Sequence, residues 1–128
     1  MILTIGPLLI NILAIKTALS NNIMVLTGGP GTGKTTVTKG IITAFRLLNK
    51  EILLAAPTGK AADRMSDATD GNAKTIHRLL EYNPRMGFAH NEDYPLYGDV
   101  LILDESSMIN VSLMYVLLKA VPLDMKLI

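Results

Sequence analysis

The chain has 128 residues, a net charge of +1 and no cysteine, which bounds it to at most one domain with room for a real core. Lack of cysteine excludes a disulfide frame, a thiolate metal site and a thiol nucleophile, and fits a reducing compartment. Charge is unevenly spread: residues 34–90 hold nine Lys/Arg against five Asp/Glu, and residues 91–128 two against six. The basic stretch suits a polyanion, though solvated helix faces give the same count.

Met1 to Ile15 is uncharged. It is shorter than the roughly 20 apolar residues that span a bilayer, lacks the basic start of a secretory signal and is interrupted at Gly6-Pro7. A buried helix over 8–19, covering one face of a sheet in a cytoplasmic protein without a membrane role, is the expectation. Next comes the apolar run Ile23-Met24-Val25-Leu26, read as a buried strand over 23–27, and then Gly28-Gly29-Pro30-Gly31-Thr32-Gly33-Lys34-Thr35. This octet fits the phosphate-binding pattern G-x-x-x-x-G-K-[ST] in its required setting between a strand and a helix, here a helix over 34–48. Glycines let successive amides point into one concavity, and the helix N-terminus adds its positive dipole end. Lys34 can reach the β- and γ-phosphates of a nucleoside triphosphate, the Thr35 hydroxyl can ligate Mg²⁺, and Thr36 adds a further nucleotide contact.

Glu51-Ile52-Leu53-Leu54-Ala55-Ala56 reads as a strand stopped by Pro57. A helix over 59–67, broken by the Asp70-Gly71 turn signal, and a short helix over 75–81 with Thr75 as its cap follow. Residues 83–98, with Pro84, Gly87, Pro95 and Gly98, read as an irregular loop. A strand over 99–103 then ends in Asp104-Glu105, before a helix over 107–120. Strands alternating with helices predict an α/β domain on a parallel sheet. In such sheets ligands bind beyond the strands' carboxyl ends, which brings Asp104 to the edge that carries the phosphate loop. There Asp104 can hold Mg²⁺ directly or through water, and Glu105 can orient or deprotonate an attacking water. The plainer alternative has the two acids, with Ser106 and Ser107, capping the next helix.

Four blocks in order resemble the RecD-like DNA helicases of superfamily 1, the branch that moves 5′ to 3′: the loop Gly28–Thr35, then Ala56-Pro57-Thr58-Gly59-Lys60-Ala61-Ala62, Thr75-Ile76-His77-Arg78-Leu79-Leu80, and Asp104-Glu105-Ser106-Ser107-Met108. The resemblance covers roughly residues 14 to 128. It implies a RecA-like P-loop NTPase fold, ATP and Mg²⁺ as cofactors, and single-stranded DNA as partner. Residues 1–22 would be a helical lead-in and 23–128 a partial ATPase domain. Pro57, Thr58, Lys60, Thr75, His77 and Arg78 fall in segments that contact the DNA in related motors. Hydroxyls and amides there can bond phosphates, and Lys60 and Arg78 can neutralise them. His77 also reads as a packed helix residue, and Arg64 either as a phosphate contact or as a solvated one.

Three departures stand out. Asn11 falls where related helicases carry a glutamine that reads adenine; it has the same amide on a shorter arm. Asn110 replaces an aspartate after the Asp-Glu-Ser-Ser block. In such motors the strand between the Asp-Glu strand and the phosphate-loop strand leads into a Gly-Asp-x-x-Gln segment, yet here Met125-Lys126-Leu127-Ile128 ends the sequence as that strand begins. With the second motor domain also missing, the expectation is a piece of a helicase, poorly stable and not helicase-active alone, with partner subunits unspecified. The reading of another class is a small P-loop switch or nucleotide kinase not acting on DNA. Against a GTPase, Asn49-Lys50-Glu51-Ile52 lacks the aspartate of N-K-x-D, and no D-x-x-G occurs.

Overall fold

In a computed structural model the backbone is described for residues 2–4, 9–27 and 34–128, and side chains for 13–26 and 36–128. The chain runs β1 (Ile2–Thr4), α1 (Leu9–Ser20), β2 (Val25–Thr27), α2 (Lys34–Leu47), β3 (Ile52–Ala56), α3 (Gly59–Thr69), β4 (Ala73–Thr75), α4 (Ile76–Leu79), β5 (Tyr82–Asn83), β6 (Gly87–Phe88), β7 (Val100–Leu103), a 3₁₀ turn (Ser106–Met108), α5 (Val111–Ala120) and β8 (Lys126–Leu127). The central sheet has the order β4-β3-β7-β8, all parallel, and a second parallel pair β1-β2 adjoins it. The two are joined where Ile23 bridges Leu127: the Leu127 amide donates to the Asn22 carbonyl (2.8 Å) and the Met24 amide to that of Leu127 (2.9 Å).

Strict alternation along the apolar strands builds two cores. Ile52 and Leu54 of β3 and Val100 and Ile102 of β7 join Ala14, Ala18, Val37, Ile41, Ile42, Phe45 and Met65 of α1, α2 and α3. Leu53, Ala55, Leu101 and Leu103 face the other way, onto Ile76 and Leu79 of α4 and Leu117 and Ala120 of α5. A strand buried on both faces reads as a continuous apolar run, which is why β3 and β7 are uninterrupted aliphatics. Each large side chain wholly buried here, Phe45, Ile41 and Leu101 among them, is worth roughly 1.5–3 kcal/mol over its exposed state.

Handedness fixes which helix lies where. The connections β2 to β3 and β3 to β4 step one way along the sheet and put α2 and α3 on one face; β4 to β7 and β7 to β8 step back and put α4 and α5 on the other. Right-handed crossovers require this. The direction reverses between β3 and β7, the kind of position at whose carboxyl ends ligands bind in open α/β sheets.

Several elements differ from the sequence reading. Strands β1 and β4 are too short to show a period and were not expected. The helix expected over 107–120 is two pieces, because Asn110 takes an extended conformation and caps α5, its Oδ1 accepting the Leu113 amide at 2.8 Å. The loop expected over 83–98 contains the hairpin β5–β6, turned by Asn83, whose Oδ1 accepts the Arg85 amide at 2.8 Å, and by Gly87 at φ 79°. At the end of α3 the left-handed residue is Asp70 (φ 51°); Gly71 is needed for space, since a Cβ there would lie 2.5 Å from Leu54 Cδ1.

Candidate nucleotide and nucleic-acid site

Because β2, β3, β4, β7 and β8 are parallel, every segment that follows one of them emerges on the same edge. The register Ala56↔Thr75 sets Pro57 and Thr58 beside the start of α4. On the other side, the Asp104 amide donates to the Ala55 carbonyl (3.0 Å), setting Asp104 opposite Ala56, one residue before Pro57. The edge thus runs from Thr75, His77 and Arg78, through Pro57, Thr58 and Lys60, to Asp104 and Glu105, with β8 and then β2 beyond. Gly28, Gly29, Pro30, Gly31, Thr32 and Gly33 lie outside the described residues. Their frame does not: β2 ends at Thr27, and Lys34 opens α2. Lys34 and Thr35 are described as backbone only, and Thr36, in the first turn, is exposed. Asn11 lies in α1, its side chain outside the described set.

Asp104 is half-buried where β7 ends, and its Oδ1 accepts the amide of Glu105 at 2.9 Å. Glu105 itself sits at φ 54°, ψ 39°, a left-handed conformation that costs a residue with a Cβ roughly 1–2 kcal/mol and that Asn49, Asp70 and Glu81 share. Glu105 occupies the N-cap position of the 3₁₀ turn but makes no side-chain cap bond, and α5 is capped by Asn110. Side-chain capping of α5 by the two acids, the plainer alternative, is therefore not what the structure shows. Among the described residues no group of three His, Cys, Asp or Glu side chains could form a metal cage. Where Mg²⁺ binds with a nucleotide it takes one or two carboxylates and keeps several waters, and the Asp104 carboxylate is a donor of that kind.

Two threonines do the same local work on the neighbouring strands. Thr58 Oγ1 accepts the Ala61 amide at the start of α3, and Thr75 Oγ1 accepts the Arg78 amide at the start of α4, both at 3.2 Å. A capping hydroxyl spends a lone pair and keeps its O–H, so each can still donate to a phosphate oxygen. Lys60 and Arg78 are exposed and make no ion pair among the described residues, as is true of Arg64. His77 is exposed yet packed. Its ring centroid lies 5.4 Å from that of Tyr82, edge-on, and 5.7 Å from that of Phe88, while Tyr82 and Phe88 are 4.8 Å apart.

Sequence reasoning missed this aromatic cluster, because its members come from α4 and both strands of the hairpin. The available signal was the turn Asn83-Pro84-Arg85-Met86-Gly87 flanked by Tyr82 and Phe88. A cleft of about 320 Å³ lined by Arg46, Lys50, Glu51, Gly71 and Lys74 lies by the amino end of β3, away from this edge. Lys119, also elsewhere, is held above the ordinary lysine value by its hydrogen bond to Tyr115, then by the charges of Tyr115 and Glu92.

A parallel sheet with helices on both faces, a strand–loop–helix phosphate frame and a strand-end Asp-Glu pair define an α/β nucleotide-binding domain of the P-loop class. The family model described as AAA domain matches residues 11–128, and the chain belongs to that family. It is similar to the ATP-dependent RecD2 DNA helicase of Deinococcus radiodurans, 51% identical over 102 residues that make up 80% of this chain and 14% of that protein. It is also similar to the RecBCD enzyme subunit RecD of Mycolicibacterium smegmatis, 40% identical over 84% of this chain and 24% of that one. The same subunit of Haemophilus influenzae is 34% identical over 90% of this chain and 22% of its own length. The chain is thus RecD-like, and spans a quarter or less of these relatives' lengths.

Proposed function

We propose that the chain is the ATP-binding and ATP-hydrolysing part of a DNA helicase motor that moves along single-stranded DNA in the cytoplasm. The observation that carries this reading is the meeting, on one sheet edge, of the phosphate-loop frame, the Asp104-Glu105 pair and the Thr58–Lys60 and Thr75–Arg78 segments. Gly28 to Gly33 would cradle the phosphates with backbone amides, Lys34 would neutralise the β- and γ-phosphates, and Thr36 would add a contact. Thr35 and Asp104 would hold Mg²⁺, Glu105 would orient the attacking water, and Asn11 would meet the adenine.

The DNA would cross Pro57, Thr58, Lys60, Thr75 and Arg78, its phosphates taking the two free O–H groups and the two cations. The His77, Tyr82 and Phe88 rings beside it offer a face on which bases stack, worth roughly 1–3 kcal/mol per base. Residues 1–22 are read as the lead-in and 23–128 as part of a RecA-like domain that works against a second motor domain, ATP closing the pair and hydrolysis reopening it. No helix among the described residues is long and apolar enough to cross a membrane. The P-loop switch or nucleotide kinase finds no support in relatives whose names are those of helicases and RecBCD subunits.

The test is hydrolysis. In a version extended to the length of the relatives, Lys34→Ala abolishes ATP turnover stimulated by single-stranded DNA. Unchanged turnover in that variant overturns the assignment.

A further inference from the structure

Strand β8 is the described element that links the phosphate-loop strand to the carboxylate strand. On one side it pairs with β7 in the register Val100↔Lys126 and Leu101↔Leu127; on the other, Leu127 bridges Ile23 at the entrance to β2. Lys126 adds a side-chain tie to this backbone link. Its Nζ donates to the Asn21 carbonyl at 2.9 Å, the Leu19 carbonyl at 3.0 Å and, more weakly, the Ala18 carbonyl at 3.4 Å. These oxygens belong to the last turn of α1 and the link to β2, where helix carbonyls lose their intrahelical partners and carry the negative end of the dipole. Helix α1 has no basic residue in its own last turn. The cation comes from more than a hundred residues away, and an ammonium's three N–H donors match the three oxygens. The Lys126 amide meanwhile donates to the Asp99 carbonyl at 2.9 Å, at the entrance to β7. One residue thus holds the amino ends of both strands.

We propose that Lys126 is a positioning residue for Mg²⁺ binding: by fixing β2 against β7 at one end, it sets the spacing of their carboxyl ends, where β2 stops at Thr27 and Asp104 follows β7. This rests on the nucleotide reading above. The lever is physical. Mg²⁺ demands near-ideal octahedral geometry at about 2.0–2.1 Å, so a small tilt between the two strands would weaken its hold if Asp104 and Thr35 are to bind it together. The loop's own hold on the nucleotide would be left intact. Lys126 touches neither substrate nor metal.

The experiment is a titration of this chain with a fluorescent ATP analogue, with Mg²⁺ and with EDTA, alongside thermal unfolding followed by circular dichroism. The unsubstituted chain binds more tightly with Mg²⁺. Lys126→Met keeps the EDTA affinity within about twofold but loses Mg²⁺-dependent tightening by roughly fivefold or more, the low end of typical coupling between two sites. Lys126→Arg, which still reaches the carbonyls, restores it. A folded Lys126→Met chain with undiminished Mg²⁺ tightening overturns the proposal. If that variant does not fold, Lys126→Gln, which retains a shorter donor, is measured in the same way. Failure of both to fold marks Lys126 as a stability clasp only and also overturns the proposal. Absence of Mg²⁺ tightening in the unsubstituted chain is a separate result, since it overturns the nucleotide reading itself.

Discussion

Asn110 stands where the resemblance leads one to expect aspartate, and its side chain answers what that exchange does. It caps α5 through a 2.8 Å bond to the Leu113 amide, a task asparagine and aspartate perform about equally. Asn110→Asp should therefore leave stability within about 0.5 kcal/mol, while Asn110→Ala costs about 1 kcal/mol, both read from urea unfolding midpoints. Gly71 poses a different constraint. A Cβ there would meet Leu54 Cδ1 at 2.5 Å and Thr69 Oγ1 at 3.2 Å, and both side chains are buried. Gly71→Ala should destabilise by about 1–3 kcal/mol through overpacking, visible as a lowered midpoint with an unchanged slope.

Among the elements, the hairpin β5–β6 is closed by backbone bonds from the Ala89 and His90 amides to the Leu80 and Glu81 carbonyls, by the aromatic cluster and by one further side chain. It is two residues per strand, too short to persist alone. His90 fastens its base: Nε2 lies 2.6 Å from Glu81 Oε2, Nδ1 lies 3.1 Å from the Tyr94 carbonyl oxygen, and the ring stacks on Tyr94 with centroids 4.5 Å apart. Because the Glu81 side chain is exposed, solvent screening reduces the loss of this bond to about 0.2–1 kcal/mol. His90→Ala should therefore speed amide exchange across residues 82–90 by roughly two- to fivefold while leaving that of β3 and β7 unchanged. Equal protection in the variant would show that the backbone bonds and the aromatic cluster hold the hairpin without the His90 side chain. The apolar strands were easier to read than this hairpin, because Ile52–Ala56 and Val100–Leu103 announce burial on both faces by composition. A four-residue ladder closed by side chains from three elements leaves no comparable pattern.

For the whole molecule, the consequence of the parallel sheet is that one edge collects the chemistry while acids and bases separate along it. Lys60 and Arg78 lie toward the β4 end, and Asp104 and Glu105 toward β7. A nucleic-acid backbone should therefore bind toward the β4 end of the edge, on the far side of the acids from Lys34. Fluorescence anisotropy with labelled oligo-dT should show binding that weakens steeply with salt, as counterion release requires. Tyr82→Ala should weaken it by a further roughly fivefold or more through lost stacking, and Lys60→Ala should flatten its salt slope by about 1. Salt-independent binding, or none, would remove single-stranded DNA from the reading.

The sequence by itself determined the α/β class, the phosphate-loop frame, the Asp-Glu strand end and the caps Thr75 and Asp70-Gly71 foreshadow. Each is written in contiguous residues whose types the backbone geometry demands. Only the tertiary structure decided that Asn110 rather than the acids caps α5. It also decided that His77 packs with Tyr82 and Phe88, and that Lys126 reaches the end of α1. The first two are local in sequence but are settled by where a helix starts and a hairpin folds back, which no period records. The third joins residues more than a hundred apart and exists only once right-handed crossovers have chosen which helix covers which face of the sheet.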